Sequence, residues 1–135
     1  KDRTVLVSGD TSKSANLQHF AQGVDLLVHE ALSTKLVLLM AESAARTGNA
    51  LREKIFNDIH DYHTTPVEAA EIARDANVSH LLYYHIVPPL IAPGMEVIWL
   101  EGVDDVFSDT TVGQDGTSIS LPANSNEIIH QSSML

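Results

Sequence analysis

The sequence predicts a layered α/β fold built on a parallel sheet, and three observations carry that prediction. Three compact apolar runs, Thr4 to Val7, Asp25 to Val28 and Ser79 to Tyr84, are separated by stretches long enough to hold helices. Parallel neighbours need such crossovers, which are right-handed, and their buried strands read as continuous apolar runs. Each run is also followed by a residue capable of chemistry: Asp10 after the first, His29 after the second and His85 after the third. In open α/β sheets, function gathers at the carboxyl ends of strands.

Taken in order, Thr4 to Val7 is the first strand and Ser8-Gly9-Asp10-Thr11 the turn after it, followed by a short helix from about Ser14 to Gln22. After Gly23 comes the second strand, ending in His29-Glu30. From Ser33 or Thr34 a helical stretch rich in Ala, Leu, Met and Glu runs toward Asp58, and Gly48 leaves open whether it is one helix or two. Its Leu36 to Met40 run packs the helix on the sheet rather than forming a lipid-binding face, with a lid facing substrate as the alternative. His60-Asp61-Tyr62-His63 reads as a polar loop, closed by Thr65 as N-cap, Pro66 at the first helical position and Glu68 just inside. That helix runs to about Ala76. The third strand follows and His85 terminates it.

Pro88, Pro89 and Pro93 impose an irregular segment, after which Met95, Ile98, Trp99, Val103 and Val106 recur at helical spacing. Asp115-Gly116 reads as a hairpin turn between strands Thr110 to Gln114 and Thr117 to Leu121. One domain spans residues 4–121, and residues 122–135 form a polar, loosely ordered tail.

With 135 residues, 44% of them apolar, the chain is large enough for one modest domain with a core. Eighteen acidic residues against eight basic ones give a net charge of -10, which argues against nucleic-acid binding by this segment alone. There is no cysteine, so any metal ligand must be His, Asp or Glu. That does not choose between cytoplasm and periplasm. No apolar run approaches the roughly 20 residues of a membrane span, and the chain opens on a charged strand rather than on a signal peptide.

The order of motifs is more specific than any one of them. A strand ending Ser-Gly-Asp-Thr, a strand ending His-Glu-Ala, a loop His-Thr-Thr before a helix and a strand ending in His follow one another. This order resembles the second half of the metallo-β-lactamase superfamily, in particular its ribonuclease Z-like and arylsulfatase-like hydrolases, over nearly all of residues 4–121. The resemblance implies the C-terminal half of an αββα sandwich. It implies that Asp10 bridges two zinc ions and that His85 is a further zinc ligand. It gives His63 a part in proton transfer or phosphate contact, with His29 and Glu30 supporting the site and Glu30 hydrogen-bonded to a histidine.

Each residue also has a structural reading. Asp10 suits a helix cap, His85 a backbone hydrogen bond at a strand end, His63 a helix start, and His29 with Glu30 a tie between strand and loop. His60 and Asp61 read as solvated loop residues, His19 and His130 as surface residues, and His80 as structural.

The departures from the family pattern are Leu32 for Thr, Thr64 for the Ser common in ribonuclease Z, a longer stretch between His29 and His63, and Ile86-Val87-Pro88-Pro89 after the last ligand. With the negative charge, they point away from transfer-RNA processing and toward an arylsulfatase-like or general hydrolase. The His-x-His-x-Asp-His cluster of the family's first half is absent. The expectation is a fragment of a zinc-dependent hydrolase, inactive alone, whose complete form cleaves a small anionic phosphodiester or sulfate ester with a metal-bound hydroxide. The alternative is a non-catalytic structural or partner-binding module. One alternating set among Val5, Val7, Leu26, Val28, Leu81 and Tyr83 should line a bare sheet face, covered by an N-terminal half or a second copy.

Overall fold

A computed structural model describes residues 2–131. In chain order the elements are β1 (Val5–Val7), α1 (Ala15–Phe20), β2 (Leu26–Leu32), α2 (Thr34–Arg46), α3 (Ala50–Asp58), a 3-10 turn (Ile59–Tyr62), α4 (Pro66–Asp75), β3 (Leu81–Val87), α5 (Met95–Trp99), β4 (Thr110–Val112), β5 (Ser118–Ser120) and β6 (Ile129–Gln131). Strands β1 to β4 form one sheet in sequential order, with every pairing parallel, and β5 pairs antiparallel with β6. The α/β class with a parallel sheet is as the sequence implies. No helix among the described residues is long and apolar enough to cross a membrane.

Local chemistry explains where the helices begin. Ser14 caps α1 and Ser33 caps α2, each side chain accepting from a backbone N–H three residues on. The stretch from Thr34 to Asp58 is two helices, because Gly48 takes φ +72° and Asn49 starts α3 with its own cap. In α4, Thr65 accepts from the Glu68 backbone N–H and Glu68 accepts from that of Thr65, a reciprocal capping box with Pro66 at the first helical position. α3 buries no residue and packs on α2.

The core lies on one face of the sheet. Leu27, Ala31, Leu81 and Tyr83 are buried there against Ala69, Ala70, Ile72 and Ala73 of α4. Small alanines let the helix lie close to the strands, while Trp99 stands edge-on to Tyr83 with ring centroids 4.9 Å apart. The opposite face carries the alternate residues. Val5 pairs with Leu26, Val7 with Val28 and Val28 with Leu82. On it, Val5 and Val7 are 52% and 59% exposed, while Leu26 is buried. The expected bare face is open only in part: Val5 and Val7 are exposed on it, Val28 and Leu82 are half-buried and Leu26 is covered, while Leu81 and Tyr83 belong to the packed side.

Four expectations need correction. β2 does not stop at Val28: it runs to Leu32, so His29 and Glu30 are strand residues rather than a strand tip. β3 likewise continues past His85 to Val87. The helix beginning at Met95 ends at Trp99, although Val103 is still buried beyond it. The turn at Asp115-Gly116 closes with a Thr117 N–H to Gln114 carbonyl bond of 2.8 Å, yet it joins no hairpin, because β4 pairs with β3 and β5 with β6. Of the segment read as a tail, residues 132–135 lie outside the described residues; β6 lies within the rest, and the Arg3 guanidinium donates to the carbonyls of Pro122, Ser125 and Glu127.

Candidate metal and proton-transfer site

The site is made where β2 and β3 fall out of register. Glu30 is opposite Tyr84, but the next partners are Ala31 and Ile86, so His85 is an extra residue in β3. It takes φ +43°, the left-handed conformation in which a bulged residue leaves the ladder. A regular strand would send residue 85 to the packed face. The bulge instead directs its side chain to the sheet's end, toward Asp10 and His63.

Glu30 is completely buried, and both its oxygens are engaged. Its Oε1 accepts the backbone N–H of Thr64 at 3.0 Å and of Thr11 at 3.2 Å, and its Oε2 lies 2.9 Å from His63 Nδ1. This is the acceptor pattern of an ionised carboxylate, which puts the Nδ1 proton of His63 on the hydrogen bond and leaves Nε2 free. Thr64 completes the junction by donating its hydroxyl to the Thr11 carbonyl at 2.6 Å. Two chain segments 53 residues apart, the turn after β1 and the loop before α4, are therefore locked to one strand residue.

Asp10 Oδ1 is 2.9 Å from His85 Nδ1, and both side chains are about half exposed. The rings of His63 and His85 stand 5.7 Å apart. Glu30, His63 and His85 each offer a ligand atom within 4.8 Å of the others. Of these, both oxygens of buried Glu30 already accept hydrogen bonds, whereas the outward pair Asp10 and His85 is about half exposed. The donors are imidazole and carboxylate only, the set that suits zinc in a site without thiolate. Asp10 and His85 fit such an ion, and His63 sits beside them.

The structure thus brings Asp10, Glu30, His63 and His85 together. It does not bring in His29, which projects to the packed face, is fully buried and hydrogen-bonds through Nδ1 to the Glu30 carbonyl at 2.6 Å. Burial lowers its pKa, the expected result for an imidazole whose charged form would lose its water. Its contact with the site is through the backbone. His60 is partly buried rather than solvated, and neither ring nitrogen has a partner among the described residues. His80, at the far end of β3, binds Thr111 at 3.0 Å beside the His130 ring, 4.6 Å away. Sequence reasoning missed Thr11 and Thr64, whose contribution is mainly backbone; no side-chain pattern announces that.

Comparison with known proteins bears on the fold and the family likeness. The chain is 37% identical over 98 residues to a ribonuclease Z of Mycobacterium sp. (strain KMS), covering 73% of this chain and 30% of the relative. It is 33% identical over 96 residues to a putative ribonuclease Z of Mycobacterium tuberculosis (strain CDC 1551 / Oshkosh), covering 71% and 38%. Among solved structures, it matches the metallo-β-lactamase fold protein YhfI from Bacillus subtilis with a TM-score of 0.53 and 20% identity, over 82% of this chain and 36% of that one. No family model matches. The fold is that of the metallo-β-lactamase superfamily. By sequence the chain is similar to the ribonuclease Z-like branch, and it spans about a third of the length of the curated relatives it matches.

Proposed function

We propose that this chain supplies the proton-transfer group and part of the metal site of a zinc-dependent hydrolase acting on a phosphodiester or sulfate ester. The observation that carries the reading is the convergence of Asp10, His85 and the Glu30–His63 pair from four separate segments onto one sheet edge. Asp10 and His85 would hold metal. When bound, zinc supplies Lewis acidity and a water acidic enough to attack at neutral pH. Glu30 fixes the ring and tautomer of His63, so that Nε2 faces the reacting centre and can give a proton to a leaving oxygen or hold an anionic one.

Two direct ligands are fewer than the three protein ligands usual for a catalytic zinc. The reading therefore assigns the remaining ligands to a first half that covers the Val5 and Val7 face, and no activity to this chain alone. The small anionic ester is preferred to a long polyanion because the chain carries a net charge of -10, while a dizinc centre would supply concentrated positive charge locally. The test is hydrolysis of bis(4-nitrophenyl) phosphate and of 4-nitrophenyl sulfate by the complete protein. Chelation and Asp10→Ala should each lower the rate by about a hundredfold or more, as loss of metal-held chemistry requires. Full activity on both substrates after either treatment would remove the reading.

A further inference from the structure

His85 also lines a cleft of about 890 Å³ whose walls include neither Asp10 nor His63. Its volume falls in the range of small-molecule sites. The walls mix apolar and polar groups: Leu82 and Tyr84 from β3, on the sheet face of Val5 and Val7 but beside β4 at its opposite edge, Ile86 just past the bulge, and Leu90 and Ile91 from the proline-rich segment, with Gln114 and Thr117 among the polar ones. Ile91 is 88% exposed, an unusual place for a large aliphatic side chain. The charged residues in the lining are Glu96, Asp115 and no cation: neither lysine nor arginine reaches it. Four of the chain's cations are engaged elsewhere, Arg3 with Asp25, Lys13 with Glu71, Lys35 with Glu101 and Arg74 with Asp75. Arg46 ends α2, and Arg52 and Lys54 lie on α3.

A strand of nucleic acid is held by cations that neutralise its phosphates and by aromatic platforms for successive bases. This cleft has two tyrosines, of which Tyr83 is fully buried, two carboxylates and neither lysine nor arginine, so it would repel a phosphate chain and accept an uncharged group with an apolar surface. Resting on the functional reading above, we propose that the cleft binds the apolar leaving group of a small ester, an aryl or alkyl alcohol, with the anionic centre of the ester held at His85. Continuity argues for that occupant. His85 belongs to both the cleft wall and the site, so a group lying along Tyr84, Ile86 and Leu90 places its oxygen at the bulge. The same lining makes the site a poor one for a polynucleotide, in contrast to the ribonuclease names of the relatives.

The experiment is methyl NMR on the full chain without metal, titrated with 4-nitrophenol below its pKa and, separately, with a single-stranded oligouridylate. Saturable shifts are expected at Leu82, Ile86, Leu90 and Ile91, with Leu51 and Ile55 of α3 unmoved. Ile91→Lys, at an exposed position with no folding role, should weaken 4-nitrophenol binding about fivefold or more, and Leu90→Ala should do the same. The proposal is overturned if the cleft methyls do not shift, if α3 shifts equally, or if the oligouridylate binds the same methyls more tightly than the phenol does. Because no zinc is present, these outcomes are independent of whether Asp10 and His85 hold metal. Loss of zinc binding with an intact phenol site would defeat the functional reading alone.

Discussion

Glu30 satisfies three donors from inside the sheet, and two of them are backbone N–H groups with no other partner near. Removing it leaves those donors buried and unpaired, so Glu30→Ala should destabilise the chain by about 1–3 kcal/mol in chemical denaturation. Glu30→Gln keeps the shape but offers one acceptor oxygen and an NH2 in place of two acceptors. It should shift the His63 tautomer, read from ring nitrogen chemical shifts, and lower turnover in the complete protein by about a hundredfold, the lower range for general acid–base catalysis. An unchanged tautomer would mean that Glu30 merely packs. His80 gives a pH dependence of known sign. Burial, then the nearby His130, lowers its pKa from 6.5 to about 4, so between these values the unfolded chain binds the proton that the folded chain refuses. Stability should therefore fall as pH drops from about 6.5 to about 4 and level off below. The lowered pKa of His29 acts in the same direction. Denaturation midpoints across that window should flatten in His80→Asn; an unchanged slope would sink the assignment.

At the scale of elements, the parts legible in the sequence are those whose signal is local. Thr65, Pro66 and Glu68 announce a helix start within four residues, and the capping box is there. Thr65→Ala should cost about 1 kcal/mol, measurable as a lower melting temperature. Asp10, His63 and His85 could be placed together because the ends of parallel strands share an edge. The bulge could not be read, since it is a register slip between β2 and β3 and neither strand's own pattern encodes it. The hairpin was misread for the same kind of reason: Asp115-Gly116 does specify a turn, but what the flanking strands pair with depends on Tyr83 and on residues 129–131. Gly113 marks that pairing. A Cβ there would meet the Tyr83 carbonyl oxygen at 2.7 Å, so Gly113→Ala should part β3 from β4 and cost about 1–3 kcal/mol in a thermal melt. A neutral result would show that β4 can shift without loss.

For the whole molecule, the two faces of the sheet differ in kind. One is sealed by α4 and Trp99, and the other leaves Val5 and Val7 in water. Large bare apolar faces are uncommon in monomers. In solution the chain should therefore bind a hydrophobic dye, associate with a second copy, or be covered when a first half is supplied in trans. Light scattering that gives a monodisperse species of 14.7 kDa, together with no dye binding, would refute this. The sequence named the candidate residues of the open face, but which alternating set it would be depended on where α4 packs.

The α2–α3 pair has a consequence for how the fold opens. α3 buries nothing of its own and leans on α2, while the pair is anchored at one end by Ser33 and at the other by the loop that Glu30 holds. Such a helix has little to lose by unwinding, and the sheet does not depend on it. Its amides should exchange with solvent by a sub-global opening of low free energy, well before those of β2 and β3, which exchange only when the whole structure melts. The stretch between the site's two halves would then be the molecule's least protected unit, while His63, immediately beyond it, stays held by a carboxylate in the most protected one.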